Sequence, residues 1–379
     1  MAAVSKVLVI GGGIGGLVAA RALRLKSIDV DLIEKQPDWS VYGVGIIQPY
    51  NMLRALQKIG LAQQCLEVGA AFDSYRIHDA QGNVLFDPEI SDAHGVELPA
   101  NNGITRPKLH DVLIAGAKEV GTDIRLGTTV SAYKDHGEYV EVGFSDGEQR
   151  RYDLALAFDG ALSDTRRNLF GDECRPAFNG QGVWRYNFPR PASLDTAALY
   201  FGATTKVGLV PLSSTLMYMF IVTPEKDGTW YGGPEVAKQM QERLDGYGGL
   251  VGELRGQITD PAAVVYRPMM NLLLPKPWYK GRLLLAGDAA HTTTPHLGQG
   301  AAMAIEDGVL LGELLSEHAT VRSALDTFMT RRFDRVKYVV DCSTQLASWE
   351  LEEWRGARNP EARPGELLHE ASVTLRQPY

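Results

Sequence analysis

Cysteine is scarce in this chain, with only Cys65, Cys174 and Cys342 among 379 residues. They stand far apart, odd in number, in no CxxC or metal-ligand spacing. A disulfide framework and a metal site are therefore excluded, and free thiols are predicted. Long apolar runs are absent as well. None approaches the ~20 residues that a membrane-spanning helix requires, so no stable membrane insertion is expected. The apolar opening from Lys6 to Ile10 lacks the basic flank, long hydrophobic region and small-residue cleavage site of a secretion signal, and a cytoplasmic address is expected. Positive charge is in deficit: 38 Lys and Arg against 46 Asp and Glu leave a formal net charge of -8. A nucleic-acid binder wants a basic face, so none is expected. No internal repeat and no low-complexity segment interrupts the chain.

What is present is an ordinary globular composition, 45% hydrophobic and 22% charged, in a chain long enough for one large or two intimately joined domains. Lys6 to Ile10 is a continuous apolar run, as in a strand buried on both faces. Leu17 to Leu25 carries apolar residues at helical spacing, and Val30 to Glu34 reads as a second strand. Together they predict a βαβ unit. Further along, Asn51 to Ile59 reads as a helix closed by Gly60. Phe72 to Phe86 reads as strand, turn and strand, and Lys108 to Val120 as a helix. Short strands are predicted at 124–126, 130–133, 139–144 and 152–158.

The middle region, 180–267, shifts to many aromatics and strand-like runs, which suggests a mixed or antiparallel sheet forming a second lobe. Arg282 to Ala286 returns to a buried strand, followed by helices over about 299–318 and 322–346. The expected division is a nucleotide lobe built from 1–71, 98–175 and 268–345, a sheet lobe built from 72–97 and 176–267, and a C-terminal arm over 346–379.

Two motifs carry chemistry. In Gly11-x-Gly13-x-x-Gly16 the first glycine permits the tight strand-to-helix turn. The second lets a pyrophosphate approach the backbone, and the third lets helix and strand pack closely. The helix start then offers free N–H groups and a positive dipole end to phosphates. Glu34, at the end of the second strand, is placed to accept hydrogen bonds from ribose hydroxyls and disfavours a 2′-phosphate. The second motif runs from Leu283 through Gly287–Asp288 and His291 to Pro295 and Gly298–Gln299–Gly300. A strand delivers Asp288 at its C-terminal end, where α/β sheets bind ligands, and another helix start follows.

These motifs, with Asp159–Gly160, Gly43–Val44–Gly45–Ile46, Pro49-x-Asn51 and Thr105–Arg106, resemble the single-component FAD-dependent aromatic hydroxylases similar to para-hydroxybenzoate hydroxylase. The resemblance covers nearly the whole chain. It implies an α/β fold in which a Rossmann-like FAD-binding domain is interleaved with a mixed β-sheet substrate domain and C-terminal helices. It also implies positions for FAD. Gly11, Gly13, Ile14, Gly15 and Gly16 would line the pyrophosphate, with Glu34 and Lys35 at the adenosine ribose and Val130 on the adenine side. Arg106, Gly45, Asp159 and Asp288 would flank the linking chain. Gly298, Gly300 and Ala301 would face the N1–C2=O edge of the isoalloxazine, with Pro295 beside its reactive face. Phe158 departs from the family's usual small residue.

The activity implied is hydroxylation of a small aromatic or N-heteroaromatic ring, using NADH or NADPH as transient co-substrate and O2, through a flavin C4a-hydroperoxide. His296 and Pro295 are the catalytic candidates. As an imidazole near neutral pKa, His296 can serve as base or hydrogen-bond partner. Arg185, Lys206 and Tyr218 are the substrate-binding candidates beside His296, while Tyr200 and Phe220 are strand aromatics open to either a pocket or a core role. A monomer or a homodimer fits. Two other readings stay open: an FAD-dependent oxidase, dehydrogenase or antibiotic-modifying enzyme, and a non-enzymatic nucleotide-binding module.

Overall fold

Strands from separate stretches of the chain assemble into a six-stranded sheet whose order, by residues, is 279–280, 283–285, 154–157, 6–10, 29–34 and 123–126. All pairs are parallel except the edge pair formed by Tyr279–Lys280 and Leu283–Leu285. The computed structural model describes residues 2–41, 43–87, 98–357 and 359–379. The expected βαβ unit is there, as Lys6–Ile10, helix Ile14–Arg24 and Asp29–Glu34. Val7, Leu8, Val9 and Leu32 are fully enclosed, as strands covered on both faces must be.

The helix Gly300–Glu317 packs against helix Ile14–Arg24 at small residues. A Cβ on Gly308 would lie 2.8 Å from Ala19 N, and one on Gly312 2.8 Å from the Ala22 carbonyl carbon. At the start of the pair, a Cβ on Gly15 would lie 3.2 Å from Ala304 Cβ. The contacts Gly15 with Ala304, Ala19 with Gly308 and Ala22 with Gly312 advance together, so the two helices run parallel. Both N-termini therefore emerge at one end.

The second lobe is a seven-stranded mixed sheet, in the order 265–271, 177–189, 216–224, 206–211, 197–201, 75–79 and 84–86. Strict alternation along its strands gives it two different faces. Trp184, Tyr186, Val207, Leu209, Met217, Met219 and Ile221 pack beneath the short helices Val236–Glu242 and Gly249–Arg255. The opposite parity, including Tyr218, Phe220, Val183 and Val222, turns toward the nucleotide lobe.

Two lobe boundaries move. Strand Val265–Asn271 pairs with Ala177–Pro189, so the sheet lobe continues beyond 267. The long helix runs unbroken from Val321 to Trp354 rather than yielding to an arm at 346, and a further helix spans Pro364–Arg376. Of the expected sheet-lobe segment 72–97, positions 88–97 lie outside the described residues. All three cysteines are free.

Candidate active site and cofactor cradle

The turn after the first strand is built around glycine. Gly11 takes a φ of +104°, and a Cβ there would meet the Phe158 carbonyl oxygen at 2.5 Å. A Cβ on Gly16 would fall 2.0 Å from the Gly11 carbonyl oxygen, so helix and turn are in backbone contact. Gly13 differs, because a Cβ there would meet nothing within 4 Å. It borders open space where a ligand can approach the backbone.

Leu17 N–H donates to the Gly13 carbonyl at 3.0 Å, so the N–H groups of Ile14, Gly15 and Gly16 precede the first helical bond, and no side chain caps them. Glu34 accepts from Gly12 N–H at 2.8 Å and Gln36 N–H at 2.9 Å. Its remaining lone pairs are left for a ligand. Lys35 beside it is exposed. Thr128 N–H donates to the Glu34 carbonyl, which brings the segment entering Val130 alongside.

The helix Gly300–Glu317 repeats this arrangement. Met303 N–H donates to the Gln299 carbonyl at 2.9 Å, no side chain caps the helix, and the N–H groups of Gly300, Ala301 and Ala302 precede that bond. Gly298, with φ +66°, supplies the left-handed turn that lets the chain leave the single helical turn Pro295–Leu297. Because the two helices are parallel, two uncapped N-termini open at the same end. That is a natural seat for a long, electron-rich ligand.

Beneath these residues lies a buried polar network. Arg332 donates to Glu306 at 2.5 Å and to Asp307 at 2.6 Å, with all three side chains sealed from solvent. His291 Nε2 lies 2.6 Å from Asp307 Oδ2, and Gly287 N–H donates to the same oxygen at 3.0 Å. His291 thus supports the loop that carries Asp288. Burial works to raise the Asp307 carboxyl, but Arg332 and His291 outweigh it and hold it at about 2.

Asp288 itself is solvent-exposed, between buried Gly287 and Ala289. The surrounding protein strips enough water to raise its carboxyl, against the opposing pull of His291 and Arg106. Asp159 accepts from Thr165 N–H at 3.1 Å through one oxygen, while its other oxygen is buried without a partner. Arg166 is spent on the carbonyls of Ala161, Cys174 and Ala289. Phe158, the departure from the family pattern, is accommodated by glycine: a Cβ on Gly15 would touch its ring at 2.6 Å and one on Gly287 at 3.3 Å.

The sheet face opposite carries Arg185, Lys206 and Tyr218 by strand parity. Tyr218 fits against Gly45, where a Cβ would strike the ring at 2.2 Å. Burial pushes its phenol up to about 12, so it stays a neutral hydrogen-bonding group. Burial and the nearby Arg106 lower the Arg185 guanidinium to about 10. Burial also lowers Arg106, with Asp288 and Tyr218 opposing. Among the described residues, no carboxylate forms an ion pair with Arg106 or Arg185. Phe220 shares this face, covering Gly208, but Tyr200 does not. It stacks on His78 at 4.3 Å in the helix-covered core.

Lys206 is not free. It pairs with Glu350, a residue of the long helix that the sequence reading did not single out. The same carboxylate accepts from Gln181 at 3.1 Å and meets His296 Nε2 at 3.1 Å, while His296 Nδ1 lies 2.8 Å from Thr294 Oγ1. Both ring nitrogens of His296 therefore have protein partners. Burial lowers the imidazole pKa, the Glu350 hydrogen bond opposes this, and Lys206 adds to the lowering. Glu350 and Gln181 were absent from the sequence signal, because neither belongs to a motif and Glu350 opens a polar stretch.

The comparisons with known proteins agree with this geometry. The family described as "FAD binding domain" matches residues 4–343. A Bacillus subtilis chain assigned to the FAD-dependent monooxygenases, YetM, is 34% identical over 98% of this chain and 99% of its own length. The 6-hydroxynicotinate 3-monooxygenase of Pseudomonas fluorescens is 28% identical over 92% of this chain and 94% of its own. In fold, the crystal structure of Klebsiella pneumoniae HpxO complexed with FAD and uric acid superposes with a TM-score of 0.83. It covers 98% of this chain and 96% of the other at 24% identity. The open space at Gly13, the unpartnered oxygen of Asp159 and the paired free helix starts all fit FAD. The chain belongs to the FAD-binding-domain family and is an FAD-dependent monooxygenase.

Proposed function

We propose that this monooxygenase hydroxylates a small aromatic or N-heteroaromatic ring bearing one acidic group, with NADH or NADPH as electron donor and O2 as the oxygen source. The carrying observation is the Arg185 guanidinium, half-buried on the sheet face beside Tyr218 and Arg106, its pKa lowered by desolvation, with no carboxylate partner among the described residues. An unpaired, partly desolvated cation is unfavourable, and an arriving anion offsets that cost. The similar 6-hydroxynicotinate 3-monooxygenase is named for a carboxylate-bearing heteroaromatic ring, which supports the same substrate class.

In this reading FAD is held by Gly11 to Gly16, Glu34, Asp288 and the N–H groups of Gly300 and Ala301, with Arg106 and Asp159 along its linking chain. When bound, it accepts a hydride from NAD(P)H and activates O2 for transfer to the ring. The protein's part is positioning and electrostatics. Arg185 anchors the acidic group by charge, and Tyr218, neutral at physiological pH, orients the ring by hydrogen bonding. Arg185 also favours the deprotonated, more electron-rich form of a ring hydroxyl. The helix start at Gly300 stabilises negative charge at the edge of the reduced cofactor. Pro295, fixed in φ, shapes the loop beside the reacting face. A cytoplasmic address suits an enzyme drawing on NAD(P)H.

The test is NAD(P)H consumption by the yellow holoprotein against hydroxybenzoates, hydroxypyridine carboxylates and their uncharged amides, with products weighed by mass spectrometry. Acidic rings are expected to accelerate consumption and return a product heavier by one oxygen. Equal turnover of the uncharged amides would overturn the substrate class. Acceleration with no oxygenated product would overturn hydroxylation.

A further inference from the structure

Glu350 is the meeting point of four separate pieces of chain. Its carboxylate pairs with Lys206 on strand Lys206–Pro211 and accepts from Gln181 on strand Ala177–Pro189. It also receives His296 from the turn Pro295–Leu297, while itself belonging to helix Val321–Trp354. One turn later on that helix, Trp354 packs against Val183, Val222 and Met269 on the same sheet face. The end of the helix is thus fastened to the substrate sheet by an ion pair and an apolar contact together.

The hydrogen-bond pattern fixes the imidazole. Burial tends to raise the Glu350 carboxyl, but Lys206 and the His296 hydrogen bond outweigh it and hold it at about 2. An ionised carboxylate only accepts, so His296 Nε2 carries a proton and donates it. Nδ1 of the neutral ring then accepts from the Thr294 hydroxyl. A charged pair plus a locked neutral ring fits a rigid strut better than a proton donor open to the cleft. With its side chain only 1% exposed, His296 is sealed from solvent.

We propose that Glu350 is a positioning residue for oxygen transfer. Held to the substrate sheet by Lys206 and Gln181, it fixes His296, and through it the loop from Thr294 to Gly298, at a set distance from the wall that carries Arg185 and Tyr218. This rests on the reading of Pro295 to Gly300 as the loop at the flavin and of the sheet face as the substrate wall. It assigns His296 to geometry, as the link in the strut, and not to acid–base work on the substrate. Small displacements between reacting groups cost large factors in rate. The consequence of loosening the strut is therefore loss of coupling, with electrons taken from NAD(P)H but oxygen not delivered to the ring.

The experiment uses the FAD-loaded protein with isotopically labelled histidine, in wild type, Glu350→Gln, Glu350→Asp and Lys206→Met. The titration of His296 is read by NMR without substrate, where the charged groups facing the ring are Glu350 and Lys206. In Glu350→Gln the imidazole pKa is expected to fall by about one pH unit, because Lys206 is left unopposed. In Lys206→Met it should rise. Unchanged titration in both variants would overturn the junction.

Product formed per NAD(P)H consumed is then measured with the best substrate. Coupling is expected to drop on the order of tenfold in Glu350→Gln at full flavin content, and Glu350→Asp should restore part of it. A fully coupled Glu350→Gln enzyme would overturn the positioning role. If Glu350→Gln does not fold, Glu350→Asp and Lys206→Met carry the same two readouts. Should the wild type hydroxylate nothing, the function proposed above fails, while the substrate-free titration still tests the junction.

Discussion

Asn51 and Gln299, 248 residues apart in the chain, bond to each other through both ends of their amides. Asn51 Nδ2 donates to Gln299 Oε1 at 2.9 Å, and Gln299 Nε2 returns a bond to Asn51 Oδ1 at 3.2 Å. Asn51 also donates to Glu306 at 2.9 Å. Gln299 is the residue from which the helix Gly300–Glu317 starts. A helix start held from outside keeps its N–H groups pointed at one place, which is what electrostatic preorganisation requires.

Replacing Asn51 by Ala should therefore be felt at the flavin and in stability. Two buried partners lose their bonds, at about 1–3 kcal/mol. The melting temperature of the apoprotein should fall and FAD should bind more weakly in a fluorescence titration. Wild-type values for both would show that Gln299 is held by other means.

Arg332 neutralises two sealed carboxylates, so Arg332→Met should destabilise by about 3–5 kcal/mol at neutral pH. The pH dependence gives the sign. Asp307 and Glu350 both titrate at about 2 in the folded protein, below their unfolded values near 4. Their contribution is complete above about pH 4 and is lost as pH falls toward 2. In Arg332→Met, Glu306 keeps Arg335 but sealed Asp307 loses its arginine, so the deficit against wild type should narrow as pH falls. Urea denaturation of both proteins between neutral and acid pH measures this, and a deficit that widens with acid would refute it.

Arg185→Met is expected to act in opposite directions on stability and function. Removing an unpaired, partly desolvated cation should raise the melting temperature of the substrate-free protein. KM for an acidic ring should rise by about a hundredfold, the rough worth of a charge-assisted hydrogen bond that also orients. A lower melting temperature with unaltered KM would mean that Arg185 is a packing residue.

Gly16→Ala tests the cradle sterically. Its methyl would need to occupy space 2.0 Å from the Gly11 carbonyl oxygen, so helix and turn must separate. FAD should be lost on purification, as read by the absorbance of the protein. Gly13→Ala meets no atom of the chain, so it should fold normally and weaken FAD binding only where the ligand itself lies. If Gly13→Ala bound FAD like wild type, that turn would not be in contact with the cofactor.

Much of this protein is determined locally and can be read from the sequence. The buried strand at Lys6, the glycine turn and Glu34 form a continuous segment whose backbone demands are met residue by residue. The same is true of Asp288 through Gly300. Strand parity, a period of two, was likewise available for Arg185, Lys206 and Tyr218. What it could not say is which parity faces the cleft. Tyr200 and Tyr218 are both strand aromatics, and only the helices covering one side of the sheet send Tyr200 to the core.

Long-range pairings were decided by the tertiary structure alone. Gly308 and Gly312 look like ordinary helix glycines until they are seen against Ala19 and Ala22, where they bring two free helix starts to one end. Glu350 looks like one charge in a polar stretch until it meets Lys206, Gln181 and His296. Such partners share no spacing in the chain. They are selected because a buried charge or a close helix contact must be satisfied by whatever the fold brings within reach, and that is a property of packing rather than of sequence distance.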